Sequence, residues 1–108
     1  MKGGMQGMLK QVQKLQAEME RVQSELGNKT ISEEAGGGIV KATANGKKEI
    51  VSIQIDEEVI KSGDKEMIED LVVAAVNKVL DSAGKMAEEE MAKVTKGMIP
   101  PGLNIPGF

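Results

Sequence analysis

Seven apolar residues near the start of the chain, Met5, Met8, Val12, Leu15, Met19, Val22 and Leu26, recur at alternating intervals of three and four. This heptad rhythm is the pattern of a helix that lies along another helix. The residues between them are nearly all polar, so one narrow stripe is driven out of water. Two surfaces satisfy such a stripe: the core of a small domain, or a seam with a second helix or second subunit. The spacing predicts a helix from Gly4 to Leu26, about 33 Å long at 1.5 Å per residue. Gly27 and Asn28 follow it, the residue types that accept the left-handed conformation after a helix.

Composition restricts what such a helix can serve. The chain has 108 residues, 40% of them hydrophobic, and a single aromatic, Phe108. It is read as one domain, residues 1–108, with an aliphatic and methionine-rich core. Cysteine is absent, which removes disulfides and thiolate chemistry. No stretch approaches the roughly 20 apolar residues of a membrane helix, and the first residues lack the apolar core of a signal peptide. The expectation is a soluble cytoplasmic protein with no membrane partner. Histidine, tryptophan and tyrosine are missing too, leaving no usual proton-transfer residue near neutral pH. The carboxylate pairs Glu33 with Glu34 and Glu57 with Glu58, and the run from Glu88 to Glu90, are adjacent in sequence. Neighbours diverge on a strand or a helix, so these groups do not converge on one substrate. The expectation is a binding protein rather than an enzyme, with no cofactor and no metal site.

The middle of the chain reads as a sheet over residues 28–56. Lys29 to Glu34 is a first strand, and Gly36, Gly37 and Gly38 break the pattern after it. The triplet lacks the spacing of a phosphate-binding loop and no helix opens behind it, so nucleotide binding is not indicated. Two further strands are joined by Asn45 and Gly46, the residue pair favoured in a two-residue type I′ hairpin turn. That turn places Ala44 opposite Lys47, Ala42 opposite Glu49, Val40 opposite Val51 and Gly38 opposite Ile53. The three glycines would then lie across from Ile53, Gln54 and Ile55. Val40, Val51, Ile53 and Ile55 would share a buried side, with Lys41, Thr43, Lys48, Ser52 and Gln54 on the wet one.

After a turn at Ser62 and Gly63, Asp64 is a good N-cap and Glu66 complements the helix dipole. The helical pattern then runs over residues 64–96, with Gly84 a weak point costing roughly 1 kcal/mol against alanine. An unbroken helix here is about 48 Å long. A compact domain of about 100 residues has a radius of gyration near 13 Å, so such a rod projects or is covered by another chain. A three-stranded sheet with one apolar side also leaves an edge open. Both demands are met by a symmetric homodimer with helices extending from a central sheet. The last stretch, residues 97–108, is rich in proline, glycine and apolar side chains. It is either a free tail or a segment that docks on another protein or on its own dimer mate.

Net charge is −3, which is unlike a conventional nucleic-acid binder. The average hides a division, because residues 57–84 hold seven acids against three lysines. Residues 1–14 hold Lys2, Lys10 and Lys14 with no acid. Lys47 and Lys48 mark the hairpin tip, and Lys93 and Lys96 the end of the long helix. If the two long helices are antiparallel, Lys2, Lys10, Lys93 and Lys96 gather at one end. Such lysines either keep the protein soluble or contact phosphate in a salt-sensitive, sequence-tolerant way.

Several stretches occur in a recognisable order: Gly3-Gly4-Met5-Gln6-Gly7-Met8-Leu9-Lys10-Gln11, Ala35-Gly36-Gly37-Gly38-Ile39-Val40-Lys41, Asn45-Gly46, Ile53-Gln54-Ile55-Asp56, Glu69-Asp70-Leu71-Val72-Val73-Ala74-Ala75-Val76-Asn77 and Pro100-Pro101-Gly102-Leu103. Taken together, the chain resembles the YbaB/EbfC family of bacterial nucleoid-associated proteins over essentially its full length. The resemblance implies an α+β fold, an α-β-β-β-α subunit with a three-stranded antiparallel sheet and two long projecting helices, assembled as a tweezer-like homodimer. It also implies binding of double-stranded DNA in the nucleoid, with altered DNA conformation, nucleoid organisation or gene regulation as the outcome. Charge position nominates Lys2, Lys10, Lys14, Lys93 and Lys96, with Lys47 and Lys48, as the DNA-contacting residues. The alternative is a protein–protein adaptor that uses apolar helix ends and the C-terminal tail.

Overall fold

The computed structural model describes residues 2–98, and side chains within 6–96. The chain runs α1 (Lys2–Leu26), β1 (Thr30–Ala35), β2 (Val40–Asn45), β3 (Ile50–Ile55), α2 (Glu57–Ser62) and α3 (Lys65–Met98). The strands form one antiparallel sheet in the order β1-β2-β3. The expected α+β arrangement, with three antiparallel strands between long helices, is therefore present. The chain has one element more than expected, because α2 is a short helix that periodicity does not reveal. Six residues are too few to carry a helical repeat, and its ends are local: the Asp56 carboxylate accepts from the amide of Glu58, and Gly63 closes it at φ 75°. The tail beyond Met98, expected either to dock or to remain free, lies outside the described residues.

Small side chains bring α3 onto the sheet. Val40, Ala42 and Ala44 of β2 are fully buried, as are Ala75, Val79 and Ala83 at four-residue spacing on α3. β1 adds Ile31 and Ala35, which stand opposite Ala44 and Val40. Glu33, opposite Ala42, also points to the helix side, where its carboxylate accepts from the Ser82 hydroxyl. Its neighbour Glu34 is exposed, so the two adjacent carboxylates do diverge. On the outer side the hydroxyls of Ser32 and Thr43 meet at 2.7 Å.

The hairpin departs from the expected register. Val40 stands opposite Ile55 and Ala42 opposite Ile53, rather than Val51 and Glu49, and an irregularity between Thr43 and Ala44 sets Ala44 against Ile50. The reason is the Asn45 side chain. Its Oδ1 accepts from the amides of Lys47 at 2.9 Å and Glu49 at 3.2 Å, and its Nδ2 donates to the Glu49 carboxylate at 2.9 Å. These bonds stabilise a longer loop, in which Lys48 rather than Gly46 takes the left-handed conformation at φ 62°. Gly46 serves a different purpose. Its amide donates to the carbonyls of Leu26 at 2.8 Å and Lys29 at 3.0 Å, satisfying a terminal carbonyl of α1. A Cβ at Gly46 would lie 2.6 Å from Leu26 Cδ2 and 2.9 Å from the Leu26 carbonyl oxygen. The three glycines do not face Ile53 to Ile55 either. Gly36, Gly37 and Gly38, at φ 66°, 70° and 102°, form the turn between β1 and β2.

The expected buried wall is also narrower than anticipated. Val51 is 57% exposed and Ile53 40%, because α3 lies over β1 and β2 and hardly touches β3. Among the described residues nothing pairs with the far edge of β3.

As expected, Asp64 caps α3, its carboxylate accepting from the amide of Met67 at 3.1 Å. With 34 residues, α3 extends about 51 Å. Gly84 does not interrupt it; the Lys48 side chain crosses there, 2.8 Å from where a Cβ would stand. Val22 and Leu26 of α1 are buried and Leu15 and Met19 partly so, while Met8 and Val12 are 68% and 51% exposed. The inner half of the heptad stripe packs within this chain, and Met8 and Val12 in its outer half are uncovered. Leu26 meets the hairpin loop near Gly84, while the groove farther out on α1 includes Glu90 and Val94, so α1 and α3 run antiparallel. The result measures 74 × 23 × 15 Å, with a radius of gyration of 20.3 Å.

A three-charge tie holds the base of α1 to α3. The two Glu90 oxygens bind Lys29 at 3.0 Å and Lys93 at 3.2 Å. Hydrogen bonds first from Lys29 and then from Lys93 hold the Glu90 carboxyl below its ordinary value of 4.5. A depressed acid contributes stability above its unfolded value and loses it as pH falls through the folded one.

Three outcomes follow from this packing. Gly46→Ala destabilises the fold by about 1–3 kcal/mol, since the new methyl meets α1 backbone, whereas Gly84→Ala leaves stability equal or raises it by up to about 1 kcal/mol, because only the end of a lysine must move. Urea midpoints of the two variants check this contrast. In the same assay Glu90→Gln is less stable than the parent above pH 4.5 and converges on it as pH falls further.

Candidate functional site

Antiparallel packing of α1 on α3 decides where the cations fall. Residues 2–17 of α1 and 91–98 of α3 form the outer end of the helical arm, and together they hold Lys2, Lys10, Lys14, Lys93 and Lys96 with no acid. The first carboxylates, Glu18 and Glu90, appear one to two turns inward. Lys14 and Lys93 line one open groove between the helices, with Val22 and Val94 in its wall. Lys10 and Lys96 are exposed farther out, one turn or less beyond them. The backbone of Lys2 lies in the first turn of α1; its side chain is outside the described set.

The inner part of the arm is acidic, with Glu18, Glu20 and Glu25 against Arg21 on α1 and Glu88, Glu89 and Glu90 against Lys85 on α3. Arg21 bonds Glu18 at 2.7 Å and Glu25 at 2.8 Å, and those carboxylates, Glu18 foremost, push the guanidinium further toward its charged form. The only arginine of the chain is thus engaged with its own helix. Lys93 is shared between the tip and the Glu90 tie, so it is less available than Lys10, Lys14 or Lys96.

The structure does not bring Lys47 and Lys48 to this cluster. Both sit at the base of the arm, where the Lys47 stem lies against Gly27 and the Lys48 stem against Gly84. Twelve residues of α3 separate Gly84 from Lys96, about 18 Å of helix. Lys29 is a basic residue that sequence reasoning passed over. Its partner Glu90 is 61 positions away, and no local pattern connects the two.

The other end of the molecule is the electrostatic opposite. Residues 56–70, covering α2 and the start of α3, carry seven acids against two lysines. Among the described residues no cluster of His, Cys, Asp or Glu could hold a metal ion, and no helix is long and apolar enough to cross a membrane. The arrangement offers fixed positive charge on an exposed helical end, beside an open groove whose carboxylates are held by Arg21, Lys29 and Lys93.

Comparison with known proteins adds an independent line. The model of the YbaB/EbfC DNA-binding family matches residues 1–98. A nucleoid-associated protein of Thermoanaerobacter pseudethanolicus is 50% identical over 108 residues, covering 94% of this chain and 97% of that protein. Another, from Pelotomaculum thermopropionicum, is 50% identical over 103 residues, covering 95% and 98%. Among solved structures, an uncharacterized protein from Helicobacter pylori superimposes with a TM-score of 0.60 at 23% identity, over 82% of this chain and 98% of that one, and so shares the fold. With the family model spanning every described element and relatives alike at half of all positions, the chain belongs to the YbaB/EbfC DNA-binding family.

Proposed function

We propose that this protein is a nucleoid-associated protein of the cytoplasm that binds double-stranded DNA as a homodimer, chiefly through phosphate contacts, and contributes to nucleoid organisation or gene regulation by altering DNA conformation. The observation that carries this reading is the acid-free arm tip with its five lysines, Lys2, Lys10, Lys14, Lys93 and Lys96. Lys47 and Lys48 form a weaker, second contact zone at the arm's base. Lysines contact phosphate as point charges and carry little sequence information. The bidentate guanine contact typical of specific readers has no free arginine to make it. Binding is therefore sequence-tolerant.

Dimerisation is supported by what α3 leaves bare. Ile50, Val51 and Ile53 on β3 are 38%, 57% and 40% exposed, and Val73 on α3 and Ile60 on α2 are 59% and 55% exposed. A second copy applied to this border would pair the open strand edge and remove these side chains from water. Two copies would also carry two basic arms. The adaptor reading rests on a separate feature, the uncovered Met8, Leu9 and Val12 of α1, which suit an apolar partner of another kind.

Titration of duplex DNA by gel shift at about 50 and 200 mM salt separates the readings. Affinity falls with salt, with a slope of about 0.9 per phosphate neutralised. The double variant Lys10→Glu, Lys96→Glu lowers affinity and reduces that slope by about one for each lost contact, whereas Lys47→Glu changes it less. Salt-independent binding, or none at the lower salt, refutes the DNA reading. Sedimentation of Ile53→Asp at tens of micromolar gives a monomer where the parent gives a dimer.

A further inference from the structure

We infer that Asn45–Gly46 is a conformationally gated deamidation site, shut while the end of α1 and the residue before β1 hold the hairpin loop and open when that junction separates. The reaction needs only the dipeptide and water. The backbone nitrogen of Gly46, once deprotonated, attacks Cγ of Asn45. The new N–Cγ bond forms as the Cγ–Nδ2 bond breaks, and ammonia leaves with the proton. Water then opens the resulting succinimide at either carbonyl, producing aspartate or its isoaspartyl isomer. Glycine favours this step because no Cβ blocks the approach of the following nitrogen.

Every atom the reaction uses is held out of it. The Gly46 N–H donates to two carbonyls, Leu26 at 2.8 Å and Lys29 at 3.0 Å, both outside the hairpin loop. Those acceptors hold the proton that must first be lost. The leaving nitrogen, Asn45 Nδ2, donates to Glu49 at 2.9 Å, and Oδ1 is fixed by the amides of Lys47 and Glu49. Asn45 is only 8% exposed, which limits access of water to the ring. The Leu26 carbonyl belongs to the end of α1, whereas that of Lys29 adjoins Thr30, the β1 residue that stands opposite Asn45, so the nucleophile is freed when α1 separates from the hairpin and the adjoining end of the β1–β2 pairing opens with it.

Completion of the reaction would prevent α1 from seating again. Aspartate at this position sets a carboxylate against Glu49 where an amide had donated. The isoaspartyl form inserts a methylene into the backbone and shifts the Gly46 amide from its two acceptors. Each lifting of the arm thus carries a chance of becoming permanent. This inference does not depend on the DNA reading.

The test follows conversion at Asn45 by peptide mass spectrometry during incubation at mildly alkaline pH, in the native full chain and in the same chain unfolded in urea. In urea Asn45 converts before Asn28 and Asn77, each of which precedes a lysine. In the native chain its rate is at least about tenfold slower, in proportion to the closed population of the junction. Glu49→Ala, which frees Nδ2 and leaves the Gly46 bonds in place, keeps the native rate well below that in urea, because the nucleophile stays bound. Hydrogen exchange at the Gly46 amide reports the same opening independently of whether any variant folds. Equal rates in the native and unfolded chains, or slow exchange at Gly46 alongside fast conversion at Asn45, overturn the inference.

Discussion

A helix of 34 residues resting on strands of six is the constraint from which the rest of the structure follows. Six residues of strand cover about 20 Å, while α3 extends about 51 Å, so more than half of the helix has no sheet beneath it. The sheet-bound part is secured by small side chains, Ala42 and Ala44 against Ala75, Val79 and Ala83. The overhang would leave its apolar positions in water without α1, which brings Val22 and Leu26 over that region. α1 in turn is fastened where it ends, through the Gly46 amide on the Leu26 carbonyl and the Lys29–Glu90 ion pair. Two anchors at one end of a 25-residue helix leave its other end to depend on the seam alone.

That seam weakens outward, and the sequence changes character with it. Near the sheet the arm is acidic and its one arginine is held by internal pairs with Glu18 and Glu25. Toward the tip the acids disappear, and exposed Met8, Leu9 and Val12 stand beside exposed Lys10 and Lys14. Packing and charge therefore divide along the same axis, with the body built for cohesion and the tip presenting exposed apolar and cationic side chains, of which Lys93 is tied to Glu90.

Both long helices were legible because a heptad stripe and a capped amphipathic run are local periodic signals, whereas the gathering of their lysines at one end was conditional on an antiparallel packing that no local signal fixes. The Asn45–Gly46 dipeptide marked the hairpin correctly but misdirected its register. A two-residue turn presumes that Gly46 supplies the left-handed angle. Here the Asn45 side chain binds the amides of Lys47 and Glu49, and Gly46 is taken by α1. That demand comes from a segment twenty residues upstream, which no turn rule contains. Burial of Val51 and Ile53 was misjudged for a similar reason: alternation identifies the apolar face of a strand, not how far across the sheet a helix reaches. The separation of Lys47 and Lys48 from the tip likewise depends on where the hairpin meets α3, at Gly84, whose lack of a side chain reads in sequence only as a helix defect.

The distance between the acidic body and the lysine-bearing tip changes the meaning of the formal charge. At physiological ionic strength a charge is felt over about 8 Å, and the carboxylates at the start of α3 lie about 50 Å of helix from Lys96. A polyanion touching the tip is several screening lengths from them and experiences almost none of their repulsion. The isoelectric point near 5.0 is then set in good part by carboxylates remote from the tip, where Glu18 and Glu88 to Glu90 are the nearest acids. The length of α3 keeps the acids of α2 and of its own first turns beyond electrical reach of the lysines at its far end, so an acidic chain can present a cationic surface there.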